Sequence, residues 1–110
     1  MSSLTRRFMR LLVFFDLPMV TKTEKRAYTH FRRFLLNDGY DMLQFSVYGR
    51  IVNGIDAEQK HVQRLVQNLP PAGSVRLLSV TEKQFASMKL LVGLPLFQEK
   101  KVSAQQVLQF

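Results

Sequence analysis

The chain has 110 residues and no cysteine, which suggests a single domain with its own core and excludes disulfides, thiolate metal sites and cysteine nucleophiles. Hydrophobic residues make up 46%, a globular rather than a disordered composition, and no apolar run approaches the roughly 18 residues of a membrane span, so a cytoplasmic protein with no membrane partner is expected. The formal net charge is +8, and +6 of it lies in residues 1–33, where Arg6, Arg7, Arg10, Lys22, Lys25, Arg26, Arg32 and Arg33 face only Asp16 and Glu24, so a polyanionic partner is expected, a phosphate backbone first of all.

The first element is the apolar run Arg10–Phe15, rich in strand formers and suited to a central strand buried on both faces. Asp16, Leu17 and Pro18 end it, because proline cannot continue an inner ladder. Thr21 to Glu24 has the S/T-x-x-E form of a capping box and opens a helix over 22–38. Ala27, Tyr28, Phe31, Phe34 and Leu35 form its apolar stripe, its cations flank or oppose that stripe, and Gly39 follows as the C′ residue. Met42–Val52 alternates, with Leu43, Phe45, Val47 and Ile51 on one face and Gln44, Ser46, Tyr48 and Arg50 on the other. It reads as one long strand or two strands meeting at a bend, with Gly49 as a candidate bulge.

Asp56 to Gln59 offers a second capping box, followed by Val62, Leu65, Val66 and Leu69 at helical spacing and stopped by Pro70 and Pro71. Ser74–Val80 is a further strand, and the apolar stretch 84–92 is a candidate extra one. The order β-α-β(β)-α-β-(β) is most simply an α+β, ferredoxin-like βαββαβ domain with an extra C-terminal strand: one antiparallel sheet with both helices on one face. That arrangement leaves the opposite sheet face bare, and the apolar tail needs somewhere to bury, so a homodimer or a partner subunit is expected.

The chain has no glycine-rich phosphate loop and no H-E-x-x-H spacing, and His30 and His61 read as ordinary surface or boundary residues. Most of the phenylalanine and tyrosine rings read as core, since the aromatic pattern of RNA-binding sheets is missing. Tyr48, Arg50 and Arg76, on sheet positions, are candidate contacts to phosphate or to a partner. Asp16 follows a buried strand directly. It either accepts hydrogen bonds from the turn or ligates a hard cation such as Mg²⁺, which would need a second carboxylate from a two-fold mate.

Three segments together resemble one family: Leu12–Pro18, with its strand-end Asp; Gly39–Arg50, with Gln-Phe-Ser-Val-Tyr; and Ser74–Val80, with Ser-Val-Arg-Leu. The combination is similar to CRISPR-associated protein two in the form found with type II systems, over about residues 9–92. The resemblance implies a ferredoxin-like homodimer placed between dimers of an integrase subunit, CRISPR-associated protein one, and holding a double-stranded DNA segment for insertion into a CRISPR array. It also implies a metal-dependent endonuclease, with Asp16 of each protomer as catalytic residue and Mg²⁺ ligand, and a C-terminal docking tail over residues 93–110 that includes Leu94, Phe97, Val107, Leu108 and Phe110. Lys22, Lys25, Arg26 and Arg33, with Arg50 and Arg76, are the candidate DNA contacts. The leading expectation is an architectural DNA-binding subunit. The alternatives are a free-standing metal-dependent endonuclease on RNA or DNA and a toxin-type ribonuclease of the same fold.

Overall fold

The computed structural model describes residues 8–93. Strand β1 (Phe8–Asp16) takes the centre, as its apolar run requires, and pairs antiparallel on both sides. Helix α1 (Lys22–Asn37) follows, then β2 (Asp41–Gln44), β3 (Val47–Asn53), helix α2 (Ile55–Gln67), β4 (Ser74–Thr81) and the short helix α3 (Glu82–Ala86). The sheet order is β2-β3-β1-β4, so the domain is α+β with the ferredoxin-like βαββαβ arrangement.

The ends of α1 follow the sequence closely. Thr21 Oγ accepts from the Glu24 amide at 3.1 Å, and Glu24 Oε1 accepts from the amides of Thr21 and Val20, both at 2.9 Å. These amide hydrogen bonds hold the exposed Glu24 carboxyl below its ordinary pKa. At the other end, Gly39 takes φ +91° while its amide donates to the Leu36 carbonyl and the Tyr40 amide to that of Leu35, which closes the helix in a Schellman turn.

Odd-numbered residues of β1 point to the helices. Leu11, Val13 and Phe15 pack there with Phe31 and Leu35 of α1, Tyr48 and Val52 of β3, Tyr40, and Leu65 of α2. Phe15 sits at the centre of the aromatic packing, edge-on to Phe31 at 5.2 Å and tilted against Tyr48 at 5.5 Å between ring centroids.

Four expectations are corrected. Of the two readings of Met42–Val52 the second holds, two strands joined at Phe45–Ser46, but the bulge expected at Gly49 is absent: Gly49 stays paired with Leu12 and Asp41, and the register irregularity lies between Met42 and Gln44. The core face of β3 carries Tyr48 and Val52, so Ile51 and Phe45 are exposed and Tyr48 is not a surface contact. Helix α2 begins after Gly54 with no side-chain cap, and it buries His61 and Leu65 rather than Val66 and Leu69. The stretch expected as an extra strand starts instead as α3, where Thr81 and Gln84 form a second reciprocal capping box at 2.9 and 3.0 Å.

Helix α3 folds back over the face of the sheet that α1 and α2 leave open. Arg10 anchors it, donating to both carboxylate oxygens of Glu82 at 2.6 and 3.0 Å with its guanidinium 4.3 Å from the Phe85 ring centroid. Between α3 and the sheet runs an apolar groove of about 430 Å³, whose walls include Leu12, Phe14, Val47, Leu78, Phe85 and Met88. The tail positions Leu94, Phe97, Val107, Leu108 and Phe110 lie outside the described residues.

Candidate nucleic-acid interface

Helix geometry turns the charge of the first third into a stripe. Lys22, Lys25, Arg26, Thr29, His30 and Arg33 recur at i, i+3, i+4, i+7, i+8 and i+11, which is one face of α1, and all six are exposed. At 1.5 Å rise per residue the stripe is about 16 Å long. Lys25, Arg26, Thr29, His30 and Arg33 line one shallow concavity on it. Among the described residues none of its cations enters an ion pair. The cap occupies the amides of Val20, Thr21 and Glu24, so an anion on this face meets side chains rather than those backbone donors.

Asp16 stands where β1 ends, at the same end of the sheet as the start of this stripe, with only residues 17–21 between strand and helix. Its carboxylate is exposed, and strand parity puts it on the side of Leu12 and Phe14, away from the core. The backbone there is held from two directions. Ser46 accepts from the Phe15 amide at 3.0 Å, and Gly73, at φ +96°, passes so close that a Cβ on it would lie 2.6 Å from the Asp16 carbonyl oxygen. Arg76 of β4 is exposed and pairs with Phe14, so it shares the Asp16 side of the sheet.

Arg50 is committed elsewhere. Its Nη1 donates to the Asp38 carbonyl oxygen and its Nε to the Ile51 carbonyl at 3.1 Å. Asp38 in turn binds His61 Nδ1 at 2.9 Å and Arg64 Nη1 at 2.8 Å. A carboxylate only accepts, so Nδ1 carries the proton, and Arg50 Nη1, 3.3 Å from it, is a neighbour rather than a donor to it. Burial acts to raise the Asp38 pKa, but the hydrogen bonds and charges of His61 and Arg64 outweigh it and hold the carboxyl below its ordinary value. Burial, with Asp38 nearby, pushes the Tyr40 hydroxyl up to about 12. This cluster ties α1, β3 and α2 together, and sequence reasoning missed it. The available signal was His61 four residues before Leu65, on the inward stripe of α2.

One chain offers a single carboxylate at the end of β1. Among the described residues no group of three His, Asp or Glu side chains is placed to hold a metal ion. One chain thus supplies only Asp16 toward the expected Mg²⁺ site, fewer ligands than a hard cation needs. No helix among the described residues is long and apolar enough to cross a membrane.

A ferredoxin-like domain with an exposed acidic strand end and a basic helix stripe beside it defines a class of small, basic α+β proteins. Comparison with known proteins narrows that class. The family described as CRISPR associated protein Cas2 matches residues 9–88, and the chain belongs to that family. It is 78% identical over 102 residues to the CRISPR-associated endoribonuclease Cas2 of Acidovorax ebreus, covering 93% of this chain and 100% of that protein. Proteins of the same name from Campylobacter jejuni and Streptococcus mutans are each 46% identical, over 86% and 77% of this chain and 66% and 78% of their own lengths.

Proposed function

We propose that this chain is an architectural subunit of CRISPR spacer integration, working as a two-fold dimer that holds a DNA duplex and bridges integrase subunits. The observation that carries the reading is the α1 stripe, four exposed cations (Lys22, Lys25, Arg26 and Arg33) on one helix face and outside any ion pair among the described residues. Contacts of this kind neutralise phosphates and release counterions without reading bases, so affinity rests on charge rather than sequence. Arg76 can add to them from the sheet, whereas Arg50 is held inside the fold. The dimer uses the open sheet face, where Leu78, Ile51 and the apolar groove stay uncovered. The family resemblance supports the integration role and a docking tail over residues 93–110.

Duplex binding measured against salt tests the reading. A linear fall in log affinity with log salt is expected, indifferent to sequence. The triple variant K25A/R26A/R33A is expected to flatten that slope by about three units for each stripe engaged. A salt-insensitive affinity, or an unchanged triple variant, overturns it.

The relatives named as endoribonucleases favour a second reading, a nuclease, which the family resemblance makes metal-dependent and extends to RNA or DNA. Two Asp16 carboxylates brought together by the dimer would hold Mg²⁺, and the ion would activate water and offset charge on the cleaved phosphate. Asp16→Ala separates the two. Retained duplex binding and spacer acquisition with loss of cleavage support the architectural role. Loss of acquisition with binding intact supports the nuclease.

A further inference from the structure

Helix α2 carries more apolar surface than the core uses. Leu65 is buried and Val62 packs half-buried against the core, but Ile55 is 70% exposed and Val66 60%, and Leu69, one residue past the C-cap Asn68, is 47% exposed. Ile55, Gln59, Val62, Val66 and Leu69 follow one another at steps of four, three, four and three. That is the a/d spacing of a coiled-coil seam over two heptads, with Gln59 as its one polar position. The surface has the matching relief. Ile55, Glu58, Gln59 and Val62, at i, i+3, i+4 and i+7, rim one shallow concavity with Gln63, the four-residue hole that receives a knob from a facing helix. Arg64 reaches Asp38 on α1 at 2.8 Å, and Val66, two residues on, is turned about 200° from it, so the seam faces away from α1 and its cations.

Charge decides what fits this seam. No Lys or Arg lies on it, and Glu58 is the only charged residue on the rim of the concavity. A phosphate backbone has nothing to hold there. A second copy of the chain, which at +8 repels its like elsewhere, meets a face free of cations. Two α2 helices running antiparallel about a two-fold axis bring Val62 of each copy to the other's hole, set Ile55 against Val66, and put Glu58 beside the other copy's Gln63, so no like charges meet. From Ile55 to Val66 the seam is about 16 Å long at 1.5 Å per residue. A contact of that length belongs to the weak class, below about 1,200 Å², so it joins assemblies already formed. We propose that α2 is a second self-association surface, through which antiparallel α2 pairs join two-fold dimers into tetramers. The inference rests on the reading above for the dimer and adds a contact on a different face.

Sedimentation velocity of the full chain over a concentration series tests it. Wild type is expected to pass from dimer to tetramer at roughly 10–100 μM. Val66→Lys, at an exposed position, is expected to stop at the dimer with unchanged circular dichroism. Gln67→Lys adds the same charge one residue off the seam and is expected to keep the tetramer. Gln59→Cys gives the chain its only thiol, and a short bismaleimide is expected to link two copies through it at tetramer concentrations but not when Val66→Lys is also present. A wild type that stays dimeric throughout, or a tetramer that survives Val66→Lys, overturns the proposal and leaves the architectural reading standing. Shielding of the introduced thiol only when an integrase subunit is added, with no tetramer, overturns the second copy as occupant. A dimer that Val66→Lys abolishes and Leu78→Asp on the open sheet face leaves intact keeps α2 as the contact between copies and overturns instead the sheet-face dimer.

Discussion

Asp38 shows how much rests on single side chains away from the basic stripe. It is the common partner of His61 and Arg64, its carbonyl takes Arg50, and its carboxylate is nearly buried. Asp38→Asn keeps the shape and removes the charge. It is expected to cost about 2 kcal/mol at neutral pH, because the hydrogen bonds of the Asp38 carboxylate to buried His61 and half-exposed Arg64 lose their charge assistance, and to lower Tm by roughly 8–16 °C. The pH dependence has a definite sign. The folded carboxyl binds its proton less readily than the unfolded one, so its contribution is complete above the ordinary carboxylate pKa of about 4 and fades as pH falls through the lower folded value. Urea unfolding of wild type and Asp38→Asn is therefore expected to differ most near neutrality and to converge in acid. A gap that widens below pH 4 would refute the assignment.

The two capping boxes make a comparison between elements. Thr21 opens α1, which contributes Phe31 and Leu35 to the core, and Thr81 opens α3, whose one buried residue is Phe85. The chemistry is the same and the consequences differ. Thr21→Ala is expected to lower global stability by about 1 kcal/mol. Thr81→Ala is expected to leave global unfolding nearly unchanged and to speed amide exchange over residues 82–88, because it loosens a short flap rather than a core helix. Global destabilisation by Thr81→Ala as large as that by Thr21→Ala would mean that α3 belongs to the core. Both boxes are written in the sequence as T-x-x-E and T-x-x-Q. The apolar residues after Gln84 suit a strand by pattern alone, but the Thr81 box starts a helix before them.

For the whole molecule, the two sides of the sheet have different fates. One is sealed by α1 and α2. The other carries Leu78, half exposed on the edge strand β4, above a groove only partly roofed by α3. In the proposed dimer this second side is the contact, so Leu78→Asp is expected to give a folded monomer by light scattering with unchanged circular dichroism. Retention of the dimer would move the interface elsewhere. The stripe on α1 lies on the helix layer, across the sheet from that face, so dimer formation leaves it open to a duplex. Opening of the dimer is expected to weaken duplex binding by halving the number of stripes that share one ligand.

Local rules carried much of the fold. A five-residue apolar run, the Thr21 cap, a glycine after a helix and a crowding of cations are each legible at short range, and each acts through neighbours within a turn or two of chain, whereas the box expected at Asp56 does not form and the one at Thr81 was not expected. The phase of β3 was not legible in the same way. Its alternation has aliphatic or aromatic residues at both parities, Val47 and Ile51 against Tyr48 and Val52, so period 2 alone leaves open which set is inside. Pairing with β1 decides it: Tyr48 stands opposite Val13 and Val52 opposite Met9, on the side where the helices lie. The same register turns Arg50 inward to Asp38, brings His61 to it from α2, and leaves Phe45 in solvent beside the end of β1. Charge and caps belong to the sequence, because they depend on composition and on residues three or four apart. The buried ion cluster, the orphan ring and the side of the sheet that stays open belong to the tertiary structure, because each requires segments 20 or more residues apart to meet in one register.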